Sequence, residues 1–81
     1  ELSFQDALLV YPNPSNGKLK IASQFVIESV RIYDLMGKIV LEKNCHNKEE
    51  DLNLYHLKKG PYIVLVSVQN EYPQYKKIII R

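Results

Sequence analysis

The chain has 81 residues, 46% of them apolar, and a formal charge of +2 at neutral pH. That apolar share suits one small folded domain and excludes a disordered segment. Lys and Arg are spread along the chain rather than massed, which leaves no nucleic-acid footprint, and no apolar run approaches the ~20 residues of a helical bilayer span.

β signals dominate and helical periodicity is nearly absent. Residues 7–11 predict a first strand, ended by Tyr11-Pro12-Asn13-Pro14-Ser15-Asn16-Gly17. Pro12 and Pro14 fix φ and lack an N–H donor, and Asn13 is pushed toward extended geometry by the proline after it. Ser15-Asn16-Gly17 tolerates φ > 0, so the chain reverses there. Residues 18–22 then alternate polar and apolar, with Leu19 and Ile21 on one face. Residues 27–33 alternate again, Val30 and Ile32 opposite Arg31. Asp34-Leu35-Met36-Gly37 predicts a second corner, in which Asp34 accepts hydrogen bonds from N–H groups two residues on. Gly37 takes the left-handed position of a type I turn with a bulge. Residues 38–43 return antiparallel, so residues 27–43 read as a hairpin. Residues 44–50 are polar and read as a loop, residues 51–54 as a short edge strand, and residues 55–59 as one helical turn. Gly60-Pro61 is a third corner, with Pro61 at the mouth of a strand because it cannot donate to a ladder. Residues 62–68 are apolar on both faces, the mark of a central strand. A turn around residues 70–73 leads into a last strand over 75–81. Seven short strands at this spacing predict an all-β fold, a seven-stranded antiparallel β-sandwich of immunoglobulin-like type.

No catalytic grouping accompanies these elements. The serines lack a nucleophile signature and threonine is missing, so no enzyme is expected. Cys45, His46, Asp51 and His56 lack metal-ligand spacing and read as polar loop residues, so neither a metal nor a cofactor is expected. A lone Cys45 rules out an internal disulfide without fixing the compartment. The six tyrosines and two phenylalanines suit a small core and pleated surfaces. An exposed row of tyrosines would instead fit a carbohydrate-binding or adhesive module of a secreted hydrolase, a second class of function. Lys58-Lys59 and Lys76-Lys77 read as solvated turns or as guards on an edge strand. Ile78-Ile79-Ile80 must pair with something, either within the domain or with another protein by strand addition. The start at Glu1 rather than Met points to a piece of a longer protein.

Four blocks stand out in order. They are Tyr11-Pro12-Asn13-Pro14 with Gly17; Val30, Ile32, Tyr33, Asp34, Leu35, Gly37, Lys38 and Val40; Leu54, Leu57, Gly60, Tyr62 and Val64; and Lys77-Ile78-Ile79-Ile80-Arg81. Together they resemble the C-terminal sorting domains of the type IX secretion system. The chain departs from that pattern at Asn53-Leu54-Tyr55, where the family usually has Asp-Leu-Ser. The resemblance implies an address label, not an enzyme, with a cargo domain on its N-terminal side. Residues 8–81 are then the sorting domain and residues 1–7 a linker or the region adjoining the cleavage site. The implied partners are the type IX translocon, its shuttle components and a sortase-like peptidase that removes the domain; no nucleic acid is implied. The implied route is periplasm in transit, then cell surface or extracellular space. The signal residues it points to are Tyr11, Pro12, Asn13, Pro14, Gly17, Tyr33, Asp34, Gly37, Lys38, Leu57, Gly60, Tyr62, Lys77, Ile78, Ile79, Ile80 and Arg81. The last strand, with its carboxylate, is expected to carry much of the recognition.

Overall fold

The computed structural model describes residues 8–81; the expected linker over residues 1–7 lies outside the described residues. Five strands carry the chain, β1 (Leu8–Tyr11), β2 (Lys18–Tyr33), β3 (Ile39–Asn53), β4 (Gly60–Val68) and β5 (Gln74–Ile80). Every strand pair is antiparallel. β3 runs along one edge of β2, β1 and β4 follow one another along the other edge, and β5 lies beyond β4.

The length of β2 forces a bend. Sixteen extended residues span about 50 Å at ~3.3 Å each, whereas the domain measures 35 Å at its longest. The bend falls where the ladder to β3 jumps from Ala22↔Glu49 to Ile27↔Asn47. Residues 23–26 of β2 there stand against Lys48 alone, a large bulge that breaks the alternation of buried and exposed side chains. Ser23 Oγ accepts from the Phe25 N–H at 3.0 Å inside it. The two halves of the sheet thus turn their inner faces to one shared core. Leu19, Ile21, Leu52 and Leu54 enter from the first half; Val30, Ile32, Val64, Val66 and Ile78 enter from the second.

The expected seven strands are five. β2 unites the expected strands at 18–22 and 27–33, and β3 unites those at 38–43 and 51–54 through the segment read as a loop. Residues 44–50 look like a loop because their side chains are polar. Their backbone nevertheless pairs with β2, at Asn44↔Ser29, Asn47↔Ile27, Glu49↔Ala22 and Glu50↔Ile21. β3 is bonded to β2 alone, so its polarity records solvation at a sheet edge, not the absence of a ladder. No helical turn forms at 55–59; the Leu57 N–H donates to the Leu54 carbonyl at 3.0 Å and closes a simple turn. β4 occupies its expected central place, with Tyr62, Val64, Val66 and Val68 buried and Ile63, Leu65 and Ser67 half-buried on the opposite face.

One charged side chain on β3 is buried. Glu50 is 8% exposed, with Lys43 Nζ 2.9 Å from Oε1 and Asn47 Nδ2 donating to Oε2 at 3.2 Å. The hydrogen bond from Lys43 is the main cause that holds its carboxyl below the usual range, against a desolvation cost that acts the other way. A depressed carboxylate contributes stability above its unfolded pKa, about 4.3, and loses it as pH falls through the folded value. Glu50→Gln is therefore expected to flatten part of the acid-side loss of stability, read as melting temperature against pH. An unchanged profile would remove the pair from the stability of the fold.

Candidate functional site

The proline corner does more than turn the chain. Tyr11–Pro12 and Asn13–Pro14 are both cis peptides, and the corner lays residues 13–15 along the outer edge of β5. Asn13 Nδ2 donates to the Lys77 carbonyl at 2.9 Å, and Asn13 Oδ1 accepts from the Ile79 N–H at 3.1 Å. The Ser15 N–H donates to the Ile79 carbonyl and the Arg81 N–H to the Ser15 carbonyl, both at 2.8 Å. These bonds take the backbone groups of β5 that face away from β4, so the domain itself closes the edge over residues 77–81. The terminal isoleucines accordingly pair within the domain. Ile78 and Ile80 are buried, and Ile79 is 42% exposed.

Ser15 is the pivot of the corner. It is fully buried, its Oγ donates to the Lys18 carbonyl at 2.5 Å and accepts from the Gly17 N–H at 3.1 Å. Gly17 has φ +128°, and a methyl group built there overlaps the Tyr55 ring. The Gly17 carbonyl accepts from the Leu54 N–H at 2.6 Å, which ties the first corner to the turn before the third. Asn53 Oδ1 accepts from the Tyr55 N–H at 3.0 Å, so a side-chain bond exists where the motif departs from the Asp-Leu-Ser pattern.

The second corner forms as its residues predict. Asp34 Oδ1 accepts from the N–H groups of Met36 and Lys38, each at 2.9 Å, and its carbonyl accepts from Gly37 at 3.0 Å. Gly37 has φ +87°, the left-handed position. The register Tyr33↔Ile63↔Lys77, with Pro61↔Ile79 beyond it, places this turn, Gly60-Pro61 and the end of β5 at one end of the sheet. Tyr62 is buried and its hydroxyl donates to the Lys58 carbonyl at 2.6 Å; Leu57 packs against the core.

Four segments far apart in sequence therefore meet at one end of the molecule. The side chains of Lys38, Lys58, Lys59, Lys77 and Arg81 are exposed there, and none has a carboxylate within 4.0 Å among the described residues. Cys45 and His46 lie on β3 and His56 in the 54–57 turn, and burial is the first cause that pushes the Cys45 thiol up. The tyrosines form no row. Tyr11 belongs to the first half of the sheet, Tyr33 and Tyr75 to separate cross-strand rows of the second, Tyr72 to the segment between β4 and β5, Tyr55 covers Gly17, and Tyr62 is core. Such an end offers shape, fixed backbone and positive charge.

Asn13 is the exposed tie between the first and last segments. Asn13→Ala is expected to lower stability by about 1 kcal/mol and to speed amide exchange at Ile79. Asn13→Asp keeps the acceptor for the Ile79 N–H and is expected to retain that protection. Fast exchange at Ile79 in the wild type would dissolve the tie.

Two residues of this arrangement escape a sequence reading. Ser15 carried a signal, since a serine two residues before a glycine can accept its N–H in a local turn. Tyr55 carried none, because its contact with Gly17 joins residues 38 positions apart.

Residues 9–81 match the model of a family described as "Secretion system C-terminal sorting domain". No curated protein matches the chain. Among solved structures, the chain is similar to PorZ of Porphyromonas gingivalis, described as an essential bacterial surface component of the type IX secretion system. The two are 23% identical with a TM-score of 0.73, over 96% of this chain and 12% of PorZ. The chain thus spans about an eighth of that protein, and at this identity the likeness speaks for the fold alone.

Proposed function

This chain belongs to the family of secretion system C-terminal sorting domains, and on that premise we propose that it addresses a cargo protein to the type IX translocon. The cargo precedes the domain, crosses the inner membrane first, and travels through the periplasm carrying it. Shuttle components and the outer-membrane translocon receive the pair. A surface sortase-like peptidase then cuts beside residues 1–7, leaving the cargo on the cell surface or outside the cell. The domain acts by being recognised and performs no chemistry of its own. We read its bent sheet as an immunoglobulin-like sandwich whose last edge is sealed by the proline corner.

The observation that carries this reading is the meeting of the four motif blocks at one end. Asn13 bonds to residues 64 and 66 positions further on, so blocks that are scattered in the chain form one surface. A translocon that accepts many cargoes needs one rigid, repeated shape to read. Signal residues held by backbone hydrogen bonds supply it.

The test is a reporter with a secretory leader, fused to the N-terminus of this chain and expressed in a bacterium that uses type IX secretion. The reporter is expected at the cell surface or in the medium, with the domain removed. A folded fusion that stays in the periplasm of a secretion-competent host overturns the proposal.

A further inference from the structure

Cations that are scattered in the sequence are gathered by the fold. Lys38 closes the turn after β2, Lys58 and Lys59 lead into β4, and Lys77 and Arg81 lie in the last residues of the chain. The registers Gly60↔Ile80 and Tyr33↔Ile63↔Lys77 bring these segments to one end. None of the five has a carboxylate within 4.0 Å among the described residues. Against them stand Asp34, whose Oδ1 accepts from the N–H groups of Met36 and Lys38, and the main-chain carboxylate of Arg81. On the strands, Lys20, Arg31 and Lys43 are each paired with a carboxylate. The far end, at the bend in β2, has the opposite balance. Glu28 and Glu71 have no cation within 4.0 Å there among the described residues, and they outweigh Lys48 at the bulge. Charge is therefore separated along the domain, positive at the turn end.

The positive end also carries an apolar tip. Leu35 and Met36 form the middle of the turn and are 64% and 91% exposed. Turn centres ordinarily carry Gly, Asn, Asp or Ser, and neither of these two side chains belongs to the core. The two hydrogen bonds to Asp34 and the left-handed Gly37 fix the turn, so the tip is held in place. Ile39 and Ile79 add exposed apolar surface on the strands behind it.

We propose that this end docks on an anionic lipid bilayer. The Leu35–Met36 tip enters the interfacial layer, and the five cations rest among the lipid phosphates. The proposal goes beyond the sorting reading and stands without it. Apolar burial and attraction to anionic lipid add in such a contact. Clusters of about 4–8 cations suffice to hold a segment on a negative surface, and five lie here. The negative balance of the far end turns the domain the same way round. Two observations favour lipid over an acidic protein. Four of the five cations are lysine, which is depleted at protein interfaces and which buries its stem while keeping its head in water. Met36 stands almost free of its own domain, so a partner protein has to supply a whole pocket, whereas a lipid layer yields to the side chain. A second copy docked through this end by a two-fold axis sets the cations against their own kind.

The experiment is co-sedimentation of the 81-residue chain with vesicles of phosphatidylglycerol and phosphatidylcholine, beside vesicles of phosphatidylcholine alone. Binding is expected to the anionic vesicles only and is expected to weaken with added salt. Lys38→Gln, Lys58→Gln and Lys59→Gln are each expected to lower the affinity about fivefold, and Leu35→Ser with Met36→Ser about tenfold. Lys48→Gln makes the same change of net charge at the far end and is expected to shift it less than about twofold. All these side chains are exposed, so the variants are expected to keep the wild-type melting temperature. The chain has no tryptophan, so Met36→Trp places a single indole at the tip. Its emission is expected to shift to the blue on anionic vesicles and to be quenched by brominated lipid. Absence of binding, equal binding to phosphatidylcholine, an equal effect of Lys48→Gln, or an indole that stays in water overturns the proposal. An acidic display peptide that binds this end while vesicles do not assigns it to a protein, and self-association lost with Met36→Ser assigns it to a second copy; either result also overturns it. Reporter export and vesicle binding are separate readouts, so failure of one leaves the other reading in place.

Discussion

Ile78→Ala is expected to lower the free energy of unfolding by about 2–5 kcal/mol, while Ile79→Ala next to it costs at most about 1 kcal/mol. The contrast follows from alternation along β5. Ile78 is wholly buried against β4 and the opposite half of the sheet, whereas Ile79 stands on the outer face and is 42% exposed. A domain of this size holds a total of roughly 4–12 kcal/mol, so the first variant loses a large part of its stability. Urea denaturation of the two variants beside the wild type reads the difference directly. Equal losses at both positions would mean that β5 does not sit with Ile78 inward. The result bears on how the terminal strand is tested for recognition. Deleting residues 77–81 takes away Ile78, Ile80 and the backbone groups that hold Asn13 and Ser15, so failed export of such a truncation reports unfolding first. Exposed Lys77, Ile79 and Arg81 are the positions at which recognition is separable from stability.

Gly17→Ala is expected to cost about 1–3 kcal/mol, although the residue lies in a turn and contributes no side chain. Two causes act together. At φ +128° the backbone is in a region that L side chains rarely adopt, and the added methyl meets the ring of Tyr55. The ring is 59% exposed and has room to swing away, so the backbone term is the larger. Gly17→Ala in a Tyr55→Ser background is therefore expected to recover only a minor part of the loss. Full recovery in that background would make the ring, and not the backbone, the reason for glycine. The cost extends beyond one residue, because the Gly17 carbonyl accepts from Leu54 and its N–H donates to Ser15 Oγ. Thermal unfolding of the single and double variants separates the two terms.

The hairpin over residues 27–43 was legible because all its information is local. Asp34 and Gly37 act within five residues of each other, and the flanking strands alternate cleanly. The central place of β4 was legible from apolar residues on both its faces. The continuity of β2 and β3 was not. Polarity in residues 44–50 is the same whether a segment is a loop or a solvated edge strand, and only the partner across the ladder distinguishes the two. Glu50 shows the limit most clearly, since a glutamate in a polar run gives no sign that it will be buried against Lys43 and Asn47.

The amino-acid order by itself determined the class of fold, the three corners and the residues that mark the family, because turn chemistry and two-residue alternation depend on neighbours in the chain. Tertiary structure alone decided that the first corner seals the last strand, that Ser15 is buried, and that Tyr55 covers Gly17. Those contacts join residues dozens of positions apart. Their energies exist only once the bend in β2 has turned one half of the sheet against the other.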